Sequence, residues 1–304
     1  MRVDTRKKRI YSLADYFNGM MDQIGQFILA NLIFSVPALI FSGAVAGLSF
    51  IVPMNIFVVF LFIPLMSPFT AGLLYIARKL TLKEKISAWK DFKKGMKDEW
   101  KPFVINSLAA YVICCGIYIT MQIYRGGLSH PVLLASFIMS LVFVLFFVCF
   151  ENAFLTMLVT VDIKPTQAVK NAVLMFIGGF FYHLKVILSL VLVVFLVFSV
   201  YTLIGDVFVA TLAILIPFIL IIPLTCAYII VYNLFQTIEK IIVIPYTSEN
   251  SAKSNSDNSS ETDEQLDLSE LEQYRKGDPE EYVFVGGRML KRKNIVSMLE
   301  ENGR

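Results

Sequence analysis

Few side chains in the apolar parts of this sequence could do chemistry. Four cysteines, Cys114, Cys115, Cys149 and Cys226, all fall inside apolar runs. None has metal-ligand spacing or a nearby histidine, so they read as small apolar filler rather than as ligands or a disulfide framework. Two histidines are too few for a convincing metal site. There is no Ser/His/Asp set, no HExxH, no paired intramembrane carboxylate and no Walker motif. Enzymatic activity and a bound cofactor or metal are therefore not expected, and any ATP drive would have to come from another chain.

What remains is uncharged polarity. Asn31, Asn55, Asn106, Gln122, Thr225 and Asn233 lie within apolar stretches. Such groups either hydrogen-bond between helices, at roughly 0.6 kcal/mol each, or line a path for a polar solute. Pro64 and Pro68 stand four apart in Pro-Leu-Met-Ser-Pro-Phe-Thr-Ala-Gly. Each removes a helix hydrogen bond, which predicts a kink or local unwinding. Broken helices are also used by transporters, so Pro64, Pro68, Asn31, Asn55 and Asn233 form a candidate kink or solute path. Pro37, Pro217 and Pro223 add further interruptions. Glu151, Asp206 and His183 sit near the ends of apolar runs and read as solvated interfacial groups. No Asp, Glu, Lys or Arg falls in the middle of a run, which argues against a proton pump, an ion-coupled antiporter or a voltage sensor. Gly43 and Gly47 make a GxxxG that would permit close helix contact.

The elements that must carry these residues are membrane helices. Of the 304 residues 57% are apolar and only 17% are charged, more apolar surface than a soluble domain of this size could hide. The net charge of +3 gives no reason to expect a nucleic-acid partner. The run Ile24–Ala77 contains no charged residue over 54 positions. That is too long for a signal peptide and long enough for two crossings of about 20 residues each, with a turn near Gly47-Leu48-Ser49. Residues 102–124, 126–150, 186–205 and 207–238 supply four more. The predicted fold is an all-α polytopic bundle of six transmembrane helices over residues 24–240, preceded by a cytoplasmic segment at 1–23. Five or seven spans are the alternatives, and they would arise in region 151–185.

Basic residues orient the bundle. With the N-terminus inside, segments 1–23, 78–101, 151–185 and 239–304 hold 26 of the 27 Lys and Arg residues, leaving only Arg125 outside. Both termini are thus expected in the cytoplasm of a bacterial plasma membrane.

Two cytoplasmic segments read as interfacial helices. In 87–101, Trp89, Phe92, Met96 and Trp100 recur at three- and four-residue spacing, with Lys93, Lys94 and further lysines mostly away from them. Such a helix lies in the headgroup layer, as a plain anchor or as a docking surface for anionic lipid or a cytoplasmic partner. The second, 165–177, opens on Pro165 in its first turn and closes at Gly178-Gly179. Beyond the bundle, 247–281 carries 11 acidic and 3 basic residues and reads as a disordered acidic linker. Residues 282–304 form a basic segment, in which Tyr282-Val-Phe-Val-Gly-Gly-Arg suggests a short strand and turn.

Several of these residues also make a family pattern. Asn31, Pro37, Thr70-Ala71-Gly72-Leu73, Arg78-Lys79, Asp91-Phe92-Lys93-Lys94-Gly95 and Lys170-Asn171-Ala172 resemble the YesL family of bacterial membrane proteins, also called the DUF624 family, over roughly residues 10–240. The resemblance carries no established activity. Members of the family often occur beside carbohydrate-uptake genes, which implies an accessory or scaffold protein working with ABC importer subunits. The rival expectation is that the chain itself transports a small polar or amphiphilic solute. Oligomeric state does not follow from the sequence.

Overall fold

A helix rises about 1.5 Å per residue, so a charge-free run longer than a bilayer must turn back. The computed structural model describes residues 12–51, 56–125, 131–161, 165–240, 282–285, 288–292 and 295–296. It contains ten helices among those residues: α1 (Leu13–Met21), α2 (Ile24–Ile51), α3 (Ile56–Phe60), α4 (Phe62–Thr81), α5 (Ala88–Arg125), α6 (Pro131–Thr160), α7 (Pro165–Gly178), α8 (Phe180–Leu203), α9 (Val207–Leu220) and α10 (Ile222–Ile238). Five stretches are long and apolar enough to cross a membrane, and the bent pair α9–α10 makes six if counted as one span. The chain is a multi-pass membrane protein.

The details depart from the expected span list in instructive ways. No reversal occurs at 47–49, because α2 runs on to Ile51. Residues 87–101 form no helix of their own but are the first part of α5. At 38 residues α5 is about 57 Å long, against about 30 Å of hydrocarbon, so its charged start projects beyond the apolar layer and continues the span. The expected sixth span is bent by 52° between α9 and α10. The helix from Pro165 to Gly178 appears as expected. Tyr282–Val285 and Arg288–Lys291 pair antiparallel, with Tyr282 opposite Lys291. Asn55, the acidic stretch 247–281 and most of the basic tail lie outside the described residues.

The core sits at one end of the bundle, the end that carries α1 and the loop 82–87, here called basal. Its buried members come from the start of α2 (Phe27, Ala30), the second half of α4, the start of α5, the end of α6, α7, the start of α8 (Val186) and α10. Among the described residues none lies between Phe103 and Ala153. Toward the other end the helices are sparsely packed on one another: only 6% of the most apolar window of α6, and of α8, is buried inside the chain.

α1 closes the basal end. Ser12 caps it by accepting from the Asp15 N–H at 3.0 Å. Tyr16 then stacks on Tyr228 of α10, with ring centroids 4.3 Å apart, and meets Tyr232 edge-on. The Tyr232 hydroxyl donates to the Ser12 carbonyl at 3.0 Å, and Lys83 pairs with Asp15. Burial pushes the Tyr16 phenol upward, so it stays protonated. The Tyr16 hydroxyl donates to the Thr225 carbonyl at 3.5 Å, next to Cys226 in α10. Tyr16→Ala should therefore loosen α1 at a cost of about 2 kcal/mol, somewhat below the range for fully buried aromatics. It should also raise the alkylation rate of Cys226 several-fold in a variant lacking the other three cysteines. An unchanged rate would mean that α1 is held without the ring stack, by its cap, its ion pair and the Tyr232–Ser12 hydrogen bond.

Candidate functional site

The arrangement begins with two glycines. α4 and α5 run antiparallel and touch where Gly72 faces Gly95. A Cβ at Gly72 would stand 2.8 Å from the Phe92 carbonyl oxygen. One at Gly95 would run into Tyr75 Cβ and come within 3.2 Å of the Gly72 Cα. The loop between the helices is fixed from α2 and its approach. Gln23 donates to the Glu84 carbonyl at 2.9 Å and accepts from the Ile86 N–H at 2.7 Å. Gln26 accepts from the Ala88 N–H at 2.9 Å. Asp91 accepts from the Ser87 N–H at 2.8 Å and from Lys79 Nζ at 3.0 Å, which closes the first turn of α5.

This contact decides which face of α5 is buried. Ala88, Asp91, Phe92, Gly95, Glu99 and Phe103 turn inward. The four residues expected to share an interfacial face are divided: Phe92 is 3% exposed, Trp89 66% and Trp100 46%, and Met96 packs against the core from its edge. Lys93 and Lys94 are exposed, with Lys94 Nζ 6.0 Å from the Tyr75 ring centroid. Beside this edge lies an apolar groove of about 550 Å³, walled by Leu32, Ile33, Val36, Pro37 and Ile40 of α2, Phe69 of α4, and Trp89, Phe92, Lys93 and Met96 of α5.

A second construction spans α2, α9 and α10. Pro223 has no N–H, so the Ile219 carbonyl loses its helical donor, and the Ser35 hydroxyl donates to it at 3.3 Å. At the start of α10 the Leu224 N–H is directed to Asn31 Oδ1 at 2.8 Å. Asn31 is 0% exposed and donates through Nδ2 to the Phe27 carbonyl of its own helix at 3.0 Å. One face of α2 thus serves both broken ends of the bend.

The other predicted path residues do not join it. Asn233 donates to its own helix, at the Ile229 carbonyl. Pro64 lies in the first turn of α4, just after the interruption at Leu61, where the Leu61 N–H bonds back to the Val58 carbonyl at 3.2 Å. Pro68 lies inside α4. Of the three groups read as solvated, Asp206 is exposed and caps α9. Glu151 is half-buried and accepts from Asn106 at 2.8 Å. His183 is 1% exposed, beside Phe176, because α8 begins at Phe180 and carries it into the basal core. A Cβ at Gly43 or Gly47 would meet nothing within 4 Å on another part of the chain among the described residues, so the expected close helix contact does not form there. Toward the other end, α5 and α6 diverge around a cleft of about 770 Å³ edged by Thr120, Tyr124, Ser136 and Ser140 among apolar residues.

Residues 27–121 match a family model described as a protein of unknown function, DUF624. This segment is a DUF624 domain. It covers less of the chain than the roughly 10–240 that the residue pattern suggests, yet it contains the Gly72–Gly95 contact and every residue of the apolar groove. Asn31 and Ser35 join the DUF624 domain to α9 and α10. No curated protein and no solved structure matches the chain.

Proposed function

We propose that the protein is a non-enzymatic accessory or scaffold subunit of a bacterial plasma membrane, associated with ABC-type carbohydrate uptake, its termini cytoplasmic. The observation that carries the scaffold reading is the uneven packing. The chain secures its basal end by itself, through α1, the clamped loop and α10. It leaves only 6% of the most apolar window of α6, and of α8, fully buried, which suits helices that meet the helices of another protein. The basic residues of the basal end favour a cytoplasmic position for it. The link to carbohydrate uptake rests on the DUF624 resemblance. Affinity capture of the full chain from its own membrane in mild detergent is expected to recover permease subunits in near-stoichiometric amount. Recovery of the protein alone would overturn the reading.

A second reading, that the chain itself moves a small polar or amphiphilic solute, is favoured by the α5–α6 cleft and its hydroxyls. Saturable uptake of an oligosaccharide by proteoliposomes containing only this protein would select it.

A further inference from the structure

We infer that the groove between α2, α4 and α5 is a binding site for one acyl chain of an anionic phospholipid, with the lipid phosphate held at Lys93. The walls are almost wholly carbon: Leu32, Val36 and Ile40 on α2, Phe69 on α4, Phe92 and Met96 on α5. Lys93 is the only charged residue among those lining it. Trp89 stands one helical turn before Lys93 on the same side of α5 and lines the same groove. The groove therefore has a head end and a tail end. The head end lies on the charged start of α5. The tail end follows α2 from Leu32 to Ile40, about 12 Å along the helix, into the apolar part of that span.

Charge complementarity selects the headgroup. Lys90, Lys93, Lys94 and Lys97 are all exposed on this part of α5. The nearest carboxylate in sequence, Asp91, is buried and already engaged by Lys79 and the Ser87 N–H. Asp98 is five residues from Lys93 and so lies about 140° away around the helix. A phosphate at the rim would meet the Lys93 ammonium and, among the described residues lining the groove, no carboxylate. A neutral chain-bearing molecule would fit the walls but leave Lys93 unused, and a free phosphate would use Lys93 but none of the walls. An anionic lipid is the occupant that uses both ends. The inference does not depend on the importer reading, since a lipid can seat here whether or not a permease is present.

The test uses the full-length protein in mild detergent. Native mass spectrometry follows titration with phosphatidylglycerol or phosphatidylcholine carrying identical acyl chains. The first phosphatidylglycerol should bind about five-fold more tightly than the first phosphatidylcholine, the effect of roughly one interfacial lysine. Lys93→Gln should remove most of that preference, weakening phosphatidylglycerol binding more than phosphatidylcholine binding, whose phosphate is already offset by its choline. Val36→Trp, at a position 57% exposed, should fill the groove and weaken both lipids. Both positions are at the surface of the chain, and slow alkylation of buried Cys149 checks that each variant is folded. Equal affinity for the two lipids in the unaltered protein would overturn the inference. So would unchanged phosphatidylglycerol binding by Val36→Trp. A larger loss from Lys90→Gln with Lys97→Gln than from Lys93→Gln would overturn it as well, in favour of diffuse attraction to the lysine run.

Discussion

Gly95→Ala is expected to destabilise the protein by about 3 kcal/mol, and Gly95→Leu to prevent folding. Overpacking a close contact usually costs about 1–3 kcal/mol. This case belongs at the upper end, because the atoms met are Tyr75 Cβ and the Gly72 Cα. Neither is the free end of a side chain, so relief requires α4 and α5 to separate. Separation would in turn uncover Phe92 and disturb the Asp91–Lys79 pair. Gly43→Ala and Gly47→Ala provide the contrast. A Cβ at either glycine would meet nothing within 4 Å among the described residues, and alanine is the better helix former by about 1 kcal/mol. Those substitutions should be neutral or stabilising. The readout is denaturant unfolding in detergent, followed by alkylation of Cys149 in a variant with no other cysteine. Equal effects at Gly43 and Gly95 would mean that the close α4–α5 contact contributes no special stability.

That contrast shows where the sequence was legible and where it was not. The spans follow from charge-free length alone, and length is a property of single segments. Close approach is a property of pairs. Gly43 and Gly47 have the recognised spacing within one helix but no neighbour. Gly72 and Gly95 stand on different helices, 23 positions apart, and no local spacing announces them. The buried stripe of α5 was hidden for a related reason. A hydrophobic reading follows Trp89, Phe92, Met96 and Trp100, whereas the inward stripe includes Asp91, Gly95 and Glu99. Two of those are charged and one has no side chain, so the pattern places them on the wet face. They are tolerated inside because Gly95 lets Tyr75 approach and Asp91 finds Lys79 and a backbone N–H. A hydrophobic pattern records the transfer preference of each residue, not the partner that offsets its desolvation. His183 was hidden for a different reason: the sequence places it at a span end, and the start of α8 carries it into the core. Asn31 was visible as a polar group that needed a partner, but its partner, a backbone N–H some 190 positions away, was not.

Asn31→Ala should cost about 2 kcal/mol, and the cost should depend on Pro223. Interhelical side-chain hydrogen bonds in membrane proteins average roughly 0.6 kcal/mol, because the polar group usually finds another partner. A buried donor with no substitute costs about 1–3 kcal/mol. The geometry decides between these figures. The helical acceptor for the Leu224 N–H would be the Leu220 carbonyl, and the backbone at Ile221, with φ −136° and ψ −46°, breaks that register. Without Asn31 the N–H can be satisfied only if α9 and α10 straighten, which pulls α9 away from α2. Pro223→Ala lowers that barrier. It restores a donor for the Ile219 carbonyl, removes the need for Ser35, and lets the helix continue through the bend. In the Pro223→Ala background the cost of Asn31→Ala should therefore fall below about 1 kcal/mol. Ser35→Ala, worth about 1 kcal/mol in the unaltered chain as one neutral hydrogen bond, should become nearly silent. Unfolding midpoints of the single and double variants give the two coupling energies. The distance between spin labels on α9 and α10 should lengthen in Pro223→Ala and lengthen further when Asn31→Ala is added. A cost for Asn31→Ala below about 0.5 kcal/mol, the same with and without Pro223, would mean that α2 does not hold the bend.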